Sequence, residues 1–228
     1  MDSFAADTDT ADKVVVDGFG NGRTSGEHTV QTLDQLAALY GQPVEASIAK
    51  EVGSLTAPYR AFIEAAPFLT LATAGPEGLD CSPRGDAPGF VRVVDERTLV
   101  IPDWRGNNRI DTLRNVVRDG RVGLLFLVPG VGETLRVNGR AVISADPDLL
   151  QSFAVDGKAP RTALIVTIET VYFQCSRALV RSRLWDPEAR VARETVPSAG
   201  EMLKAAKAGF DAAGYDAALP ARVASTLY

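Results

Sequence analysis

The sequence predicts a mainly β protein with peripheral helices (α+β), built as a small antiparallel barrel or sandwich. Six short runs rich in Val, Leu and Ile carry this expectation, at 68–75, 89–95, 97–101, 121–128, 134–144 and 162–175. Turn-forming PEG, DERT and PGVGE stretches separate them, the pattern of strands that return on themselves. The runs do not alternate with crossover helices, and neither GxGxxG nor GxxxxGK[ST] opens a helix after a strand. A parallel nucleotide-binding fold is therefore disfavoured.

The elements follow in order. Residues 1–27 read as a loose arm, because the stretch to residue 26 is polar, rich in Asp, Thr and Gly, and lacks the apolar segment of a signal peptide. Residues 28–66 hold N-terminal helices. VQTLDQLAALYG has apolar residues at helical spacing and a closing glycine, which predicts a helix over 30–40. PYRAFIEAAPF at 58–68 repeats the pattern, with Pro58 suited to a first turn. The strands then occupy a domain at 67–190.

One helix, at 108–119, interrupts them, with Ile110, Leu113, Val116 and Val117 on one face. After Cys175, SRALVRSRLWDPEAR reads as helical up to Asp186 and Pro187. Arg177, Arg181 and Trp185, spaced by four, then share a face. AGEMLKAAKAGFDAAG and ALPARVASTLY form a helical extension at 191–228.

Composition limits the function. With 228 residues, 46% of them hydrophobic, the chain can bury one sizeable core. A net charge of −5 and a pI near 5.0 argue against gripping nucleic acid or an anionic membrane. No apolar run approaches the roughly eighteen residues of a membrane span. Cys81 and Cys175 lie far apart without a CxxC or Cys/His pattern, so neither a disulfide framework nor a zinc site is expected, and the expected compartment is the cytoplasm.

The single histidine, His28, lies beside the arm, far from either cysteine. This removes Ser-His-Asp and Cys-His catalysis. Asp80, Asp86, Asp95 and Asp103 lack the spacing of a calcium loop. With acid, base and metal machinery so thin, an organic cofactor is the expected carrier of any chemistry.

The corner at 101–126 suggests where such a cofactor sits. Pro102 and Gly106 break the chain after RTLVI, and Asn107 or Asn108 can cap a helix beginning at Arg109. A cation in a first helical turn opposes the helix dipole at a cost of roughly 0.3–1 kcal/mol. An anion held by free amides, Arg105 and Arg109 would offset that cost. An ordinary surface helix, its arginines paired with Asp103 and Asp111, has the same spacing.

SPRGDAPGFV (82–91), IPDWRGNNRIDTLRNVVRDGRVGLLFLVPG (101–130), ETLRVNGRA (133–141) and ALVRSRLWDP (178–187) together resemble the pyridoxamine 5′-phosphate oxidase-like FMN-binding split-barrel proteins. The likeness covers about residues 60–190 and extends weakly to the YDAALPARVASTLY ending. It implies a six-stranded antiparallel split β-barrel that forms a homodimer, with FMN at the interface. It also implies an FMN-dependent oxidoreductase that moves a hydride between the flavin and a small, flat or anionic substrate.

Asn107, Asn108 and Arg109 resemble the family's phosphate-binding arginine-lysine pair, with only the second position basic. Asn108 can bond a phosphate without neutralising it, so Arg84 and Arg136 would add charge. Ser82 would donate to phosphate or ring, and Pro102 and Asp103 lie where the family sets backbone beside the flavin. Residues after the last strand close the site from the other subunit, which implicates Arg181, Ser182 and Trp185. Many relatives carry His where this chain has Gln174. A non-catalytic flavin- or haem-binding module, with iron held by Cys175 or Tyr172, and a deazaflavin-dependent reductase are the alternatives.

Overall fold

The computed structural model describes residues 29–228, so the arm and His28 lie outside the described residues. The chain divides into two compact units, ending and beginning at Glu45 and Ala46. In the first, α1 (Leu33–Leu39) starts with a reciprocal cap, in which the Thr32 hydroxyl accepts from the Gln35 N–H and the Gln35 side chain accepts from the Thr32 N–H. A short α2 (Glu45–Ala49) follows.

The second unit is organised by one antiparallel sheet. α3 (Ala57–Ala65) begins at the Thr56 cap with Pro58 in its first turn and leads into the sheet. Its strands are β1 (Phe68–Gly75), β2 (Gly78–Gly85), β3 (Arg92–Val93), β4 (Thr98–Asp103), β5 (Arg121–Leu127), β6 (Thr134–Ser144) and β7 (Thr162–Gln174). They lie in the order β2-β1-β5-β6-β7-β4-β3. α4 (Asp111–Arg118) spans the passage from β4 to β5.

The sheet therefore has seven strands and does not close, where six in a barrel were expected. β2 is the addition: GLDCSPRG has almost no apolar alternation, yet it pairs with β1 along its whole length, from Phe68 with Gly85 to Gly75 with Gly78. It is an edge strand, where Pro83 removes no ladder bond that an inner strand would need. The expected strand at 89–95 shrinks to Arg92–Val93.

Alternation in β1, β5 and β6 turns Leu69, Leu71, Leu124, Phe126, Leu135 and Val137 inward, each at most 1% exposed. Leu99 and Ile101 of β4, Leu164, Val166 and Ile168 of β7, Ile63 of α3 and Val116 of α4 complete that core. The β6–β7 ladder shifts register between Asn138 and Gly139.

Two helices differ from expectation. α4 starts at Asp111 rather than Arg109 and buries Thr112, Asn115 and Val116. Val117 is instead 77% exposed and Ile110 47%. A polar contact sets this rotation: Asn115 donates to the Thr73 hydroxyl at 3.1 Å. It does so against Gly75, where a Cβ would stand 2.2 Å from the Asn115 amide oxygen. α6 (Arg177–Ser182) ends at Arg183 in the left-handed region. Trp185 therefore lies past the helix, bonding the Val131 carbonyl at 2.8 Å, and does not share a helical face with Arg177 and Arg181.

Two short 3-10 turns follow α6, and α7 (Ala199–Ala206) and α8 (Ala212–Thr226) then pack on each other. Gly209, at φ 76°, separates them, and Asp211 caps α8, which runs on through Pro220. No helix among the described residues is long and apolar enough to cross a membrane.

Candidate functional site

Pairing of β4 with β7 sets Asp103 opposite Thr162. Beside that pair, β2, the 104–110 loop and the start of α4 surround a cleft of about 640 Å³. This is within the range of small-molecule sites. Ser82, Arg84, Pro102, Asp103, Arg105, Asn107, Asn108 and Arg109 all line it. The likewise expected Arg136, Arg181, Ser182 and Trp185 are not part of this lining. Arg136 points to the opposite side from Leu135 and Val137 and donates to the Tyr172 hydroxyl at 2.9 Å, across the β6–β7 pair. Ser182 donates to the Leu179 carbonyl within α6.

The corner before α4 is strained. Asn108 (φ 60°) and Ile110 (φ 53°) both take the left-handed conformation. Asn tolerates it, but a β-branched residue there is an outlier that costs on the order of 1–3 kcal/mol. Ile110 is the N-cap and supplies no side-chain bond to the first turn. Arg109 reaches forward to Asp111 at 2.8 Å, while Asn107 accepts from the Arg109 N–H at 3.0 Å. The arginine thus stands just before the helix rather than in its first turn, and its ion pair is exposed and exchangeable.

Charge in the cleft differs from the chain as a whole. Arg84, Arg105, Arg109 and Arg161 face Asp80, Asp103 and Asp111 along the lining. A slight positive excess therefore sits in an acidic protein. Asp80 is engaged already, accepting from Ser82 at 3.0 Å and from the buried Thr112 hydroxyl. Arg84 approaches Asp103 at 3.4 Å with both side chains 19% exposed. Burial raises the Asp103 carboxyl above the usual range, and the Arg84 charge opposes this.

A raised folded value means that the ionised Asp103 costs stability at neutral pH. That cost disappears as pH falls through the raised value towards the ordinary carboxylate range. Asp103→Asn should remove this component. The difference between the mutant and wild-type melting temperatures should therefore be largest near pH 7 and shrink towards pH 4; a difference that does not vary with pH would contradict it.

Three buried polar atoms in lining residues lack any hydrogen-bond partner: Arg84 Nε, Trp104 Nε1 and Thr162 Oγ1. Each such atom costs roughly 1–3 kcal/mol while unpaired. All three belong to residues that line the cleft. Trp104, Arg161 and Thr162 were not expected from the sequence. Trp104 follows Pro102 and Asp103 directly. Arg161 arrives only through β-pairing, its N–H on the Asp103 carbonyl at 3.2 Å and its guanidinium on Asn108 at 3.2 Å.

Residues 55–175, just over half of the chain, match the model of the pyridoxamine 5′-phosphate oxidase family. None of the curated proteins is significantly similar to the chain. Among solved structures, HupZ of Group A Streptococcus is similar at 16% identity, over 54% of this chain and 95% of that one, with a TM-score of 0.45. An FMN-binding protein from Syntrophomonas wolfei is similar at 12% identity, over 50% and 86% of the two chains, with a TM-score of 0.38. General stress protein 26 of Bacillus anthracis gives 17% identity, over 50% and 88%, with a TM-score of 0.37.

Proposed function

The chain belongs to the pyridoxamine 5′-phosphate oxidase family, and from that membership we propose that it binds FMN in the cleft beside α4 and acts as an oxidoreductase on a small substrate. The observation that carries this reading is the set of unpartnered buried polar atoms on Arg84, Trp104 and Thr162 in a cleft with an excess of arginine. FMN supplies a ring that accepts and returns a hydride, chemistry for which this chain needs no histidine or metal.

Arg105, Asn107, Asn108 and Arg109, with the amides opening α4, hold the phosphate. Release of Arg109 from Asp111 frees its fork for two parallel bonds to phosphate oxygens. Arg84 adds charge, Ser82 adds a hydroxyl, and Pro102 and Asp103 set backbone beside the ring. Trp104 and Thr162 offer donors to ring or ribityl oxygens. The arginines favour a flat or anionic substrate.

A second copy of the chain completes the site. The sheet face away from the core presents Phe68 at 38% exposure, with Leu125, Leu127, Arg136 and Tyr172 half-buried on the same side. Two copies joined through this face form the homodimer, and Arg136, Arg181, Ser182 and Trp185 then serve the cleft of the opposite copy.

The test is an absorption spectrum of freshly purified protein, mass identification of what heat releases, and sedimentation at micromolar concentration. Flavin bands, released FMN and a dimer are expected. Release of a deazaflavin or haem instead of FMN would overturn the cofactor assignment, as would a colourless protein that does not take up added FMN. A monomer would overturn the assembly.

A further inference from the structure

The cleft has two lips far apart in sequence, and one side chain touches both. The first lip is the end of β2, where Arg84 and Gly85 line the cleft and Asp86 follows. The second is the loop that begins with Trp104 after β4. Tyr228, two residues past α8, meets each of them. Its hydroxyl donates to Asp86 Oδ1 at 2.7 Å across 142 residues of chain. Its ring stands edge-on to the Trp104 indole, with centroids 5.0 Å apart and planes at 76°, a favourable geometry for an aromatic pair.

Both contacts are anchored. The Asp86 N–H bonds the Pro67 carbonyl at 3.0 Å, and its carboxylate also accepts from the Ala87 N–H at 2.7 Å. The bond to Asp86, burial, and the charges of Asp86 and Asp156 all raise the Tyr228 pKa above the usual phenol value, so the hydroxyl remains a donor. The Trp104 indole N–H has no bond of its own. The edge-on Tyr228 ring is thus a fixed aromatic contact of that indole in the cleft wall. α8 packs on α7, and Tyr228 links the end of α8 to the cleft.

We propose that Tyr228 is a positioning residue that clasps the two lips and holds the Trp104 indole in the cleft wall, so that it governs access to the cleft. The occupant that suits this wall is a planar heteroaromatic molecule that lies against the Trp104 indole. Naming that occupant FMN rests on the functional reading above; the clasp is a property of the protein alone. Because α8 carries Tyr228, anything that displaces α8 opens the cleft.

The experiment is acrylamide quenching of tryptophan emission in wild type, Tyr228→Phe and Tyr228→Ala, repeated in a Trp104→Phe background, with thermal melts to confirm folding. Tyr228→Ala should raise the quenching constant several-fold and shift emission to the red. Tyr228→Phe keeps the ring and loses the Asp86 bond, so a smaller rise is expected. Both effects should vanish in Trp104→Phe, where only Trp185 remains.

Quenching of Tyr228→Ala equal to wild type would overturn the clasp, and so would an increase that persists without Trp104. If Tyr228→Ala does not fold, Tyr228→Phe decides alone by the same criterion. FMN exchange then follows in the same proteins. Release should be about tenfold faster from Tyr228→Ala, and an unchanged rate beside altered quenching would overturn the control of access. If no variant, wild type included, binds FMN, the cofactor reading fails, while quenching still decides the clasp.

Discussion

Arg84→Met is expected to weaken FMN binding by roughly tenfold to a hundredfold, the range that follows from losing a charge-assisted bond of about 1.5–3 kcal/mol. Arg84 carries one of the unpartnered buried nitrogens, Nε. Its terminal nitrogens already reach the Pro83 carbonyl at 2.9 Å and Asp103 at 3.4 Å. The guanidinium is thus fixed at the cleft by its terminal nitrogens, with its inner N–H unbonded. Methionine keeps the stem against the cleft wall and removes the head, which separates recognition from filling of space.

Asp103 would be left half-buried without its cation, which destabilises the fold independently of any ligand. Arg84→Met combined with Asp103→Asn removes both partners and isolates the ligand term. Isothermal titration with FMN, read beside melting temperatures, checks this. Unchanged affinity in the double mutant would remove Arg84 from the binding site.

Gly139→Ala is expected to destabilise the protein by at least about 3 kcal/mol, at the upper end for overpacking a core. A Cβ at this position would stand 2.1 Å from the Thr167 carbonyl oxygen and 3.3 Å from the Ile168 Cα. These are backbone atoms of the central β6–β7 pair and cannot swing aside as a side chain would. The ladder passes from Asn138 opposite Thr170 to Gly139 opposite Ile168, so Glu169 is extruded as a bulge. The Ile168 N–H turns away to bond the Arg97 carbonyl at 2.8 Å. Urea denaturation measures the loss, and a midpoint within error of wild type would show that the two strands can separate more easily than their bonding implies.

Much of the sheet was legible because burial of one face imposes a period of two within each strand, a local property that needs no knowledge of neighbours. FLTLATAG, RVGLLFLV, TLRVNGRAVIS and TALIVTIETVYFQ carry that period and are strands within a residue or two of the expected bounds. The corner at 101–109 was legible for a related reason: Pro102, Gly106 and the asparagines break the chain wherever it lies, and the eight expected residues from Ser82 to Arg109 do share one cleft.

The rest depended on which distant segments meet. GLDCSPRG has no strand period of its own and becomes β2 because β1 offers an open edge. α4 kept Leu113 and Val116 on the core but turned Ile110 and Val117 outward as Asn115 met Thr73 over Gly75. Arg161 and Thr162 reached the cleft through the register of β4 with β7, and Tyr228 reached it from beyond α8.

By itself the sequence determined which segments bury a face, the mainly β class and the polar corner, since these follow from hydrophobic periodicity and backbone breakers acting over a few residues. Only the tertiary structure decided the seven-strand order, the rotation of α4 and the unpartnered donors of Arg84, Trp104 and Thr162. Those arise from pairings across tens of residues or more, where a hydrogen bond or a close backbone approach selects among partners that local pattern cannot rank.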